Sequence, residues 1–255
     1  IKVRRLQPKE NFGHWRIDKQ QWLEAIKKSA ILMITPILNP SGWDYHDDDR
    51  EWIVRTCKEN DVIIIADEVY LDSKRRHSEY LPFYELGDHC ISINSLTKVY
   101  SLGTLRYGWI IASPDIAEQA RRAFRTLGGM MGSPTLRIAE SVFPELETAL
   151  DKVQEYREKN LPLLRKVLEK FNISWNEPSH GLFGAFRLPH GINAMDFIDR
   201  ECKQYGVLLV PGNMFEKGLD EWIRVAWSIE PLSFEKAVIN LEKALFLAIS
   251  QKTSQ

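Results

Sequence analysis

Along the chain, short apolar runs alternate with longer stretches in which apolar positions recur every three or four residues. The runs of strand length are AILMITPI (30–37), DVIIIAD (61–67), CISINS (90–95) and YGWIIAS (107–113). Stretches of helical period stand at 18–28, at 47–60 and near 115–127. This alternation predicts an α/β sheet, mostly parallel, with crossover helices between its strands, and the run at 30–37 reads as a buried strand. A long helix is predicted over 146–171, after Pro144, and Pro162 within it should kink it or shift its register. Beyond it, strands at 181–188, 206–211 and 222–228 interleave with helices near 193–204 and 233–250. These form a second, smaller α/β layer. The expected division is a first domain over 1–150, a connecting helix over 151–171 and a small C-terminal domain over 172–255.

Composition narrows the function classes. The 255 residues are 44% hydrophobic and 27% charged, as in ordinary globular proteins. With 34 Lys and Arg against 35 Asp and Glu, the net charge of -1 removes the electrostatic case for nucleic acid or an anionic membrane as partner. The longest apolar runs, VIII at 62–65 and ALFLAI at 244–249, are too short to span a bilayer, so a soluble protein is expected. Cys57, Cys90 and Cys202 are odd in number and lack metal-ligand spacing, which predicts reduced, buried thiols in a cytoplasmic protein. The opening IKVRRLQPKE has no signal-peptide pattern. Asp47, Asp48 and Asp49 beside His46 are read as first-turn carboxylates facing exposed helix amides, so no metal site is expected.

One polar residue stands out against this background. Lys98 lies inside a strand-like apolar segment, where burial would cost several kcal/mol unless the amine were paired or neutralised. In parallel α/β sheets, ligands bind beyond the carboxyl ends of the strands. Three successive strand ends here carry Asn39 (in NPSG), Asp67 with Tyr70 (in ADEVY), and Ser95 with Lys98 (in NSLTK). Taken singly these are a turn, a helix cap and a surface charge. Together they bring an amide, a carboxylate with a phenol, and a hydroxyl with an amine toward one region.

The stretch SLTKVYSLGTLRYG, with serine three before Lys98, arginine eight after it and glycine ten after it, carries a resemblance. So does Asn39, placed 28 residues before Asp67. With VPGNMF and WIRVAWS downstream, the chain resembles the class I/II aminotransferase family of fold-type I pyridoxal-phosphate-dependent enzymes over essentially its whole length. The resemblance implies a large cofactor-binding domain, of which 1–150 would be the latter part, and a smaller C-terminal α/β domain. It implies pyridoxal 5'-phosphate as cofactor and an amino acid and a 2-oxo acid as substrates. Lys98 would form the Schiff base with the cofactor and then move the α-proton, which requires a lowered pKa. Asp67 would hold the pyridine nitrogen protonated, and Asn39 and Tyr70 would hydrogen-bond the ring's phenolic oxygen. Ser95 and Arg106 match the phosphate-binding positions, Arg224 matches the arginine that takes the substrate α-carboxylate, and Asn39 is also assigned to substrate binding. Tyr100 and Gly108 are read as structural, and His180 as a loop residue or part of the substrate entrance.

Some features depart from the family pattern. The family's glycine-rich phosphate loop and ring-stacking aromatic lie upstream of the asparagine turn, so the chain reads as the latter part of a longer polypeptide. Gly103 falls five residues after Lys98 where many relatives have glycine six after, and the turn is NPSG rather than the threonine form. Trp43, Met130 and Met131 are read equally as apolar pocket or core, with a lean to a monocarboxylate or broad substrate. Carbon–sulfur β-elimination on the same scaffold would be served by the same Lys98, Asp67 and Arg224; a non-catalytic ligand-sensing domain is the other alternative, and the intact Lys98, Asp67, Tyr70 and Arg106 argue against it. The resemblance also implies a homodimer.

Overall fold

The structure is a computed structural model that describes residues 2–6, 9–11, 14–74, 81–129, 131–189 and 191–253. The chain forms two compact units, one of residues 1–37 with 44–150 and one of residues 38–43 with 151–255.

The first unit opens with an antiparallel pair, β1 (Lys9–Asn11) and β2 (His14–Arg16), which the apolar pattern did not predict. Then come α1 (Lys19–Ile26), β3 (Ile31–Ile34), α2 (Asp47–Glu59), β4 (Ile63–Asp67), β5 (Cys90–Ser95) and β6 (Gly108–Ile111). Asp18 caps α1 by accepting from the Gln21 amide at 3.1 Å. Asp47, Asp48 and Asp49 fill the first turn of α2, and Asp49 pairs with Lys19 at 3.2 Å. The strands lie in the order β3-β4-β5-β6, with the first two pairings parallel and the last antiparallel. Two helices close the unit, α3 (Pro114–Leu127) and α4 (Ser133–Val142), the second of them unpredicted.

Alternation along the strands separates two faces. Leu32, Ile34, Ile64 and Ala66 point into a core with Trp22, Ile26, Ile53 and Cys57 of α1 and α2. The expected burial of β3 holds for only half of it, because Ile31 is 55% and Met33 69% exposed. Continuous apolar character in a strand signals a covered sheet on both faces, and here helices α1 and α2 cover one.

The second unit holds most of α5 (Leu146–Lys170), then β7 (Phe183–Arg187), α6 (Ala194–Phe197), β8 (Val210–Pro211), β9 (Trp222–Ala226) and α7 (Pro231–Thr253). Its sheet is antiparallel, in the order β7-β9-β8. The strand read over 206–211 shrinks to two residues, and the helix read over 193–204 continues from α6 as a π-helical turn over Ile198–Cys202. Helix α5 runs through Pro162 without interruption. Its Leu161, Leu164 and Leu168 are buried in the same core as Phe186, Ile223, Trp227 and Leu245, and that burial outweighs the backbone hydrogen bond the proline forgoes. The side chain of Asn160, wholly buried, donates to the Trp227 carbonyl at 2.7 Å and the Ile229 carbonyl at 2.9 Å.

Candidate active site

In the first unit, the period of two along β4 and β5 sends Asp67 and Ser95 to one face of the sheet, and Glu68, Ser92 and Asn94 to the other. Beyond Ser95 the chain leaves the sheet, so Lys98 is carried by a turn and is exposed. This corrects the expectation of a lysine held in a buried strand: β5 stops at Ser95, three residues short of it. The turn is closed by backbone bonds from Ser101 N–H to the Lys98 carbonyl at 3.2 Å and from Leu102 N–H to the Leu96 carbonyl at 2.9 Å. The chain then returns antiparallel as β6, with Ser95 opposite Gly108. A Cβ on Gly108 would lie 3.0 Å from the Asn94 carbonyl, tighter than ordinary packing, so the close return favours glycine there.

Asp67, Ser95, Lys98 and Arg106 all line one cleft of about 760 Å³, walled by apolar side chains that include Phe124 and Met131. Four of the residues picked out in the sequence are thus gathered by the fold. Met131 is a cleft residue, whereas Met130 lies outside the described residues. Arg106 is held at φ 50° and Ser101 at φ 57°. Left-handed backbone at non-glycine residues costs about 1–2 kcal/mol each, so the rest of the turn must hold both in place. Tyr70 is buried and is not among the residues that line this cleft.

On the opposite face a second cavity of about 650 Å³ is lined by Glu68, Asp72, Ser92, Asn94 and Tyr100, among others. Glu68 is buried and accepts from the Phe83 amide at 2.7 Å. Burial pushes its carboxyl up to about 7; the bonds from Phe83 and Ser92 and the charge of Arg50 counter this only in part. The sequence offered no sign of this group, because Glu68 stands directly beside Asp67 and only strand parity separates their environments.

In the second unit, Asn39 and Arg224 meet: Arg224 Nη1 donates to Asn39 Oδ1 at 3.2 Å. The guanidinium is centred 5.2 Å from the rings of both Phe183 and Phe215, a cation–π arrangement. Gly42, in the same turn as Asn39, has φ 71°, and a Cβ there would stand 2.6 Å from Pro178 Cγ and closer still to the Phe183 carbonyl. The phenylalanines were not singled out in the sequence; aromatic residues near a strand arginine are too common to signal stacking. His180 lies half-buried in the loop before β7.

A mostly parallel sheet that presents an amine, a carboxylate, a hydroxyl and a guanidinium to one cleft defines an α/β domain suited to a small anionic ligand. The sequence profile of the aminotransferase class I and II family matches residues 1–238. LL-diaminopimelate aminotransferase of Maridesulfovibrio salexigens is 23% identical over 231 residues, covering 89% of this chain and 58% of the relative. A solved PLP-dependent aminotransferase from Streptococcus suis superposes with a TM-score of 0.82 at 26% identity, over 92% of this chain and 62% of that one. A PLP-bound C-S lyase from Staphylococcus hominis shares the fold, with a TM-score of 0.80 at 19% identity over 93% of this chain and 63% of that one. The chain belongs to the class I and II aminotransferase family and has its fold-type I α/β architecture. It spans less than two thirds of the length of these relatives.

Proposed function

We propose that this protein moves an amino group between an amino acid and a 2-oxo acid, using pyridoxal phosphate. The observation that carries the reading is the convergence of Asp67, Ser95, Lys98 and Arg106 on one cleft. This donor set fits the cofactor: a carboxylate for a ring nitrogen, an amine for an aldehyde, and a hydroxyl with a guanidinium for a phosphate. When bound, the cofactor supplies an electron-withdrawing ring that stabilises negative charge at the substrate α-carbon.

Each residue then has a task. Asp67 holds a proton at the ring nitrogen. Lys98 Nζ would hold the cofactor aldehyde and would carry the proton to and from the substrate α-carbon. Ser95 and Arg106 would hold the phosphate through a hydroxyl and a guanidinium. Asn39 and Tyr70 are assigned to the ring's phenolic oxygen. Arg224, with the rings of Phe183 and Phe215 near its guanidinium, takes the substrate carboxylate as a bidentate pair, with Asn39 beside it. We assign residues 1–150 to the latter part of the cofactor-binding domain, 151–171 to the connecting helix and 172–255 to the small domain. A homodimer in the cytoplasm completes the reading, and the three buried free thiols support a reducing compartment. Among the described residues no helix is long and apolar enough to cross a membrane.

The test is a visible absorption spectrum with pyridoxal phosphate, followed by borohydride reduction and peptide mass mapping, then product analysis. A yellow band, an adduct on Lys98 and exchange of an amino group between amino acid and 2-oxo acid are expected. Ammonia release from a sulfur amino acid would replace the transferase reading with the lyase. An adduct scattered over surface lysines would replace it with a binding domain.

A further inference from the structure

The turn that carries Lys98 is bracketed by two buried polar side chains, Asn94 before it and Tyr100 after it. Both reach the same atom. Asn94 Nδ2 donates to Asp72 Oδ2 at 2.8 Å, and the Tyr100 hydroxyl donates to that oxygen at 2.7 Å. Asn94 is engaged at its other end too, since its Oδ1 accepts from the Ser95 amide at 2.7 Å, and Ser95 Oγ in turn accepts from the Thr97 amide at 3.3 Å. A continuous chain of bonds therefore runs from Asp72 through Asn94 and Ser95 into the turn, and a second arm returns from Tyr100.

Building on the function proposed above, we propose that Asp72 is a positioning residue: one carboxylate oxygen clamps both ends of the turn and so sets where the Lys98 amine stands in the cleft. Asp72 itself lines the cavity behind the sheet and is not among the residues lining the Lys98 cleft, so it acts through Asn94 and Tyr100 rather than on the cofactor. A carboxylate suits the task because it accepts two bonds at one oxygen, and bonds to an ionised acceptor are shorter and stronger than neutral ones. The left-handed residue Ser101 follows directly on the clamped end at Tyr100, so a fixed Tyr100 also helps hold that backbone in place. Without the carboxylate, two buried donors lose this shared acceptor and the five-residue span between them loses its fixed length.

The test uses the full chain in four forms: parent, Asp72→Ala, Asp72→Asn and Tyr100→Phe. Hydrogen exchange is followed first without cofactor, across the peptide containing residues 95–101. Exchange there is expected to rise about tenfold in Asp72→Ala, less in Tyr100→Phe, and to return toward the parent in Asp72→Asn, which keeps an acceptor oxygen. Capture of pyridoxal phosphate is then measured by borohydride reduction and mass mapping, together with the urea unfolding midpoint. The share of adduct on Lys98 is expected to fall about tenfold in Asp72→Ala and to recover in Asp72→Asn, with Tyr100→Phe between them even if the alanine variant folds poorly. Unchanged exchange, or loosened exchange with parent-like capture at Lys98, overturns the positioning role while leaving the proposed function standing. Failure of the parent itself to capture the cofactor at Lys98 overturns the proposed function, and the exchange comparison still decides the clamp.

Discussion

Replacing Glu68 with glutamine isolates the effect of a buried carboxyl. The side chain is 3% exposed, and burial raises it from an ordinary 4.5 to about 7. Between those values the folded protein keeps a proton that the unfolded chain has released, so stability falls as pH rises through the window and levels off above it. The span of about 2.5 units corresponds to about 3 kcal/mol, an upper figure because the site relaxes on ionisation. Glutamine preserves the shape and the acceptor for the Phe83 amide, and its NH₂ can donate to Ser92 Oγ, but it never ionises. Urea unfolding of parent and variant, followed by circular dichroism near pH 5 and near pH 8, gives the comparison. The two proteins are expected to be close in stability near pH 5 and the variant to be more stable by about 2–3 kcal/mol near pH 8. An equal difference at both pH values would show that Glu68 is ionised in the fold throughout and would refute the reasoning.

Other perturbations probe the scaffold. Asn160→Ala removes two buried bonds to the carbonyls of Trp227 and Ile229 and is expected to cost about 2 kcal/mol in urea unfolding, whereas a change below a few tenths would mean water replaces the side chain. Gly42→Ala places a Cβ against Pro178 and the Phe183 carbonyl at a left-handed φ, for an expected loss of about 3 kcal/mol read from the same assay. Burial pushes the thiols of Cys57, Cys90 and Cys202 up to about 12, so none is expected to react with a disulfide reagent near pH 8 until denaturant is added, when all three react. Rapid labelling of the native protein would contradict the buried placement.

Much of this molecule was legible in the order of its residues. The periods of two and of about 3.6 located α1, α2, β4, β5 and α5 to within a few residues, because those periods express local geometry that every turn or strand repeats. The lysine stretch was legible for a related reason: Ser95, Lys98, Arg106 and Gly108 belong to one turn and its return strand, so their spacing is their geometry. What escaped was whatever depends on partners distant along the chain. Strand pattern marked β3 as covered on both faces, but coverage is decided by which helices arrive, and Ile31 and Met33 remain exposed. The two-residue β8 and the β1–β2 pair are too short for a period to register. Asp67 and Glu68 are adjacent carboxyls of the same kind, and only the pleat and the packing behind the sheet give one a cleft and the other a pKa near 7. Asp72 reaches donors 22 and 28 residues away, and Arg224 reaches an acceptor 185 residues away. Pattern within the sequence thus determined the elements and the chemistry they carry, while chain closure in three dimensions decided burial, ionisation and which side chains hold one another in place.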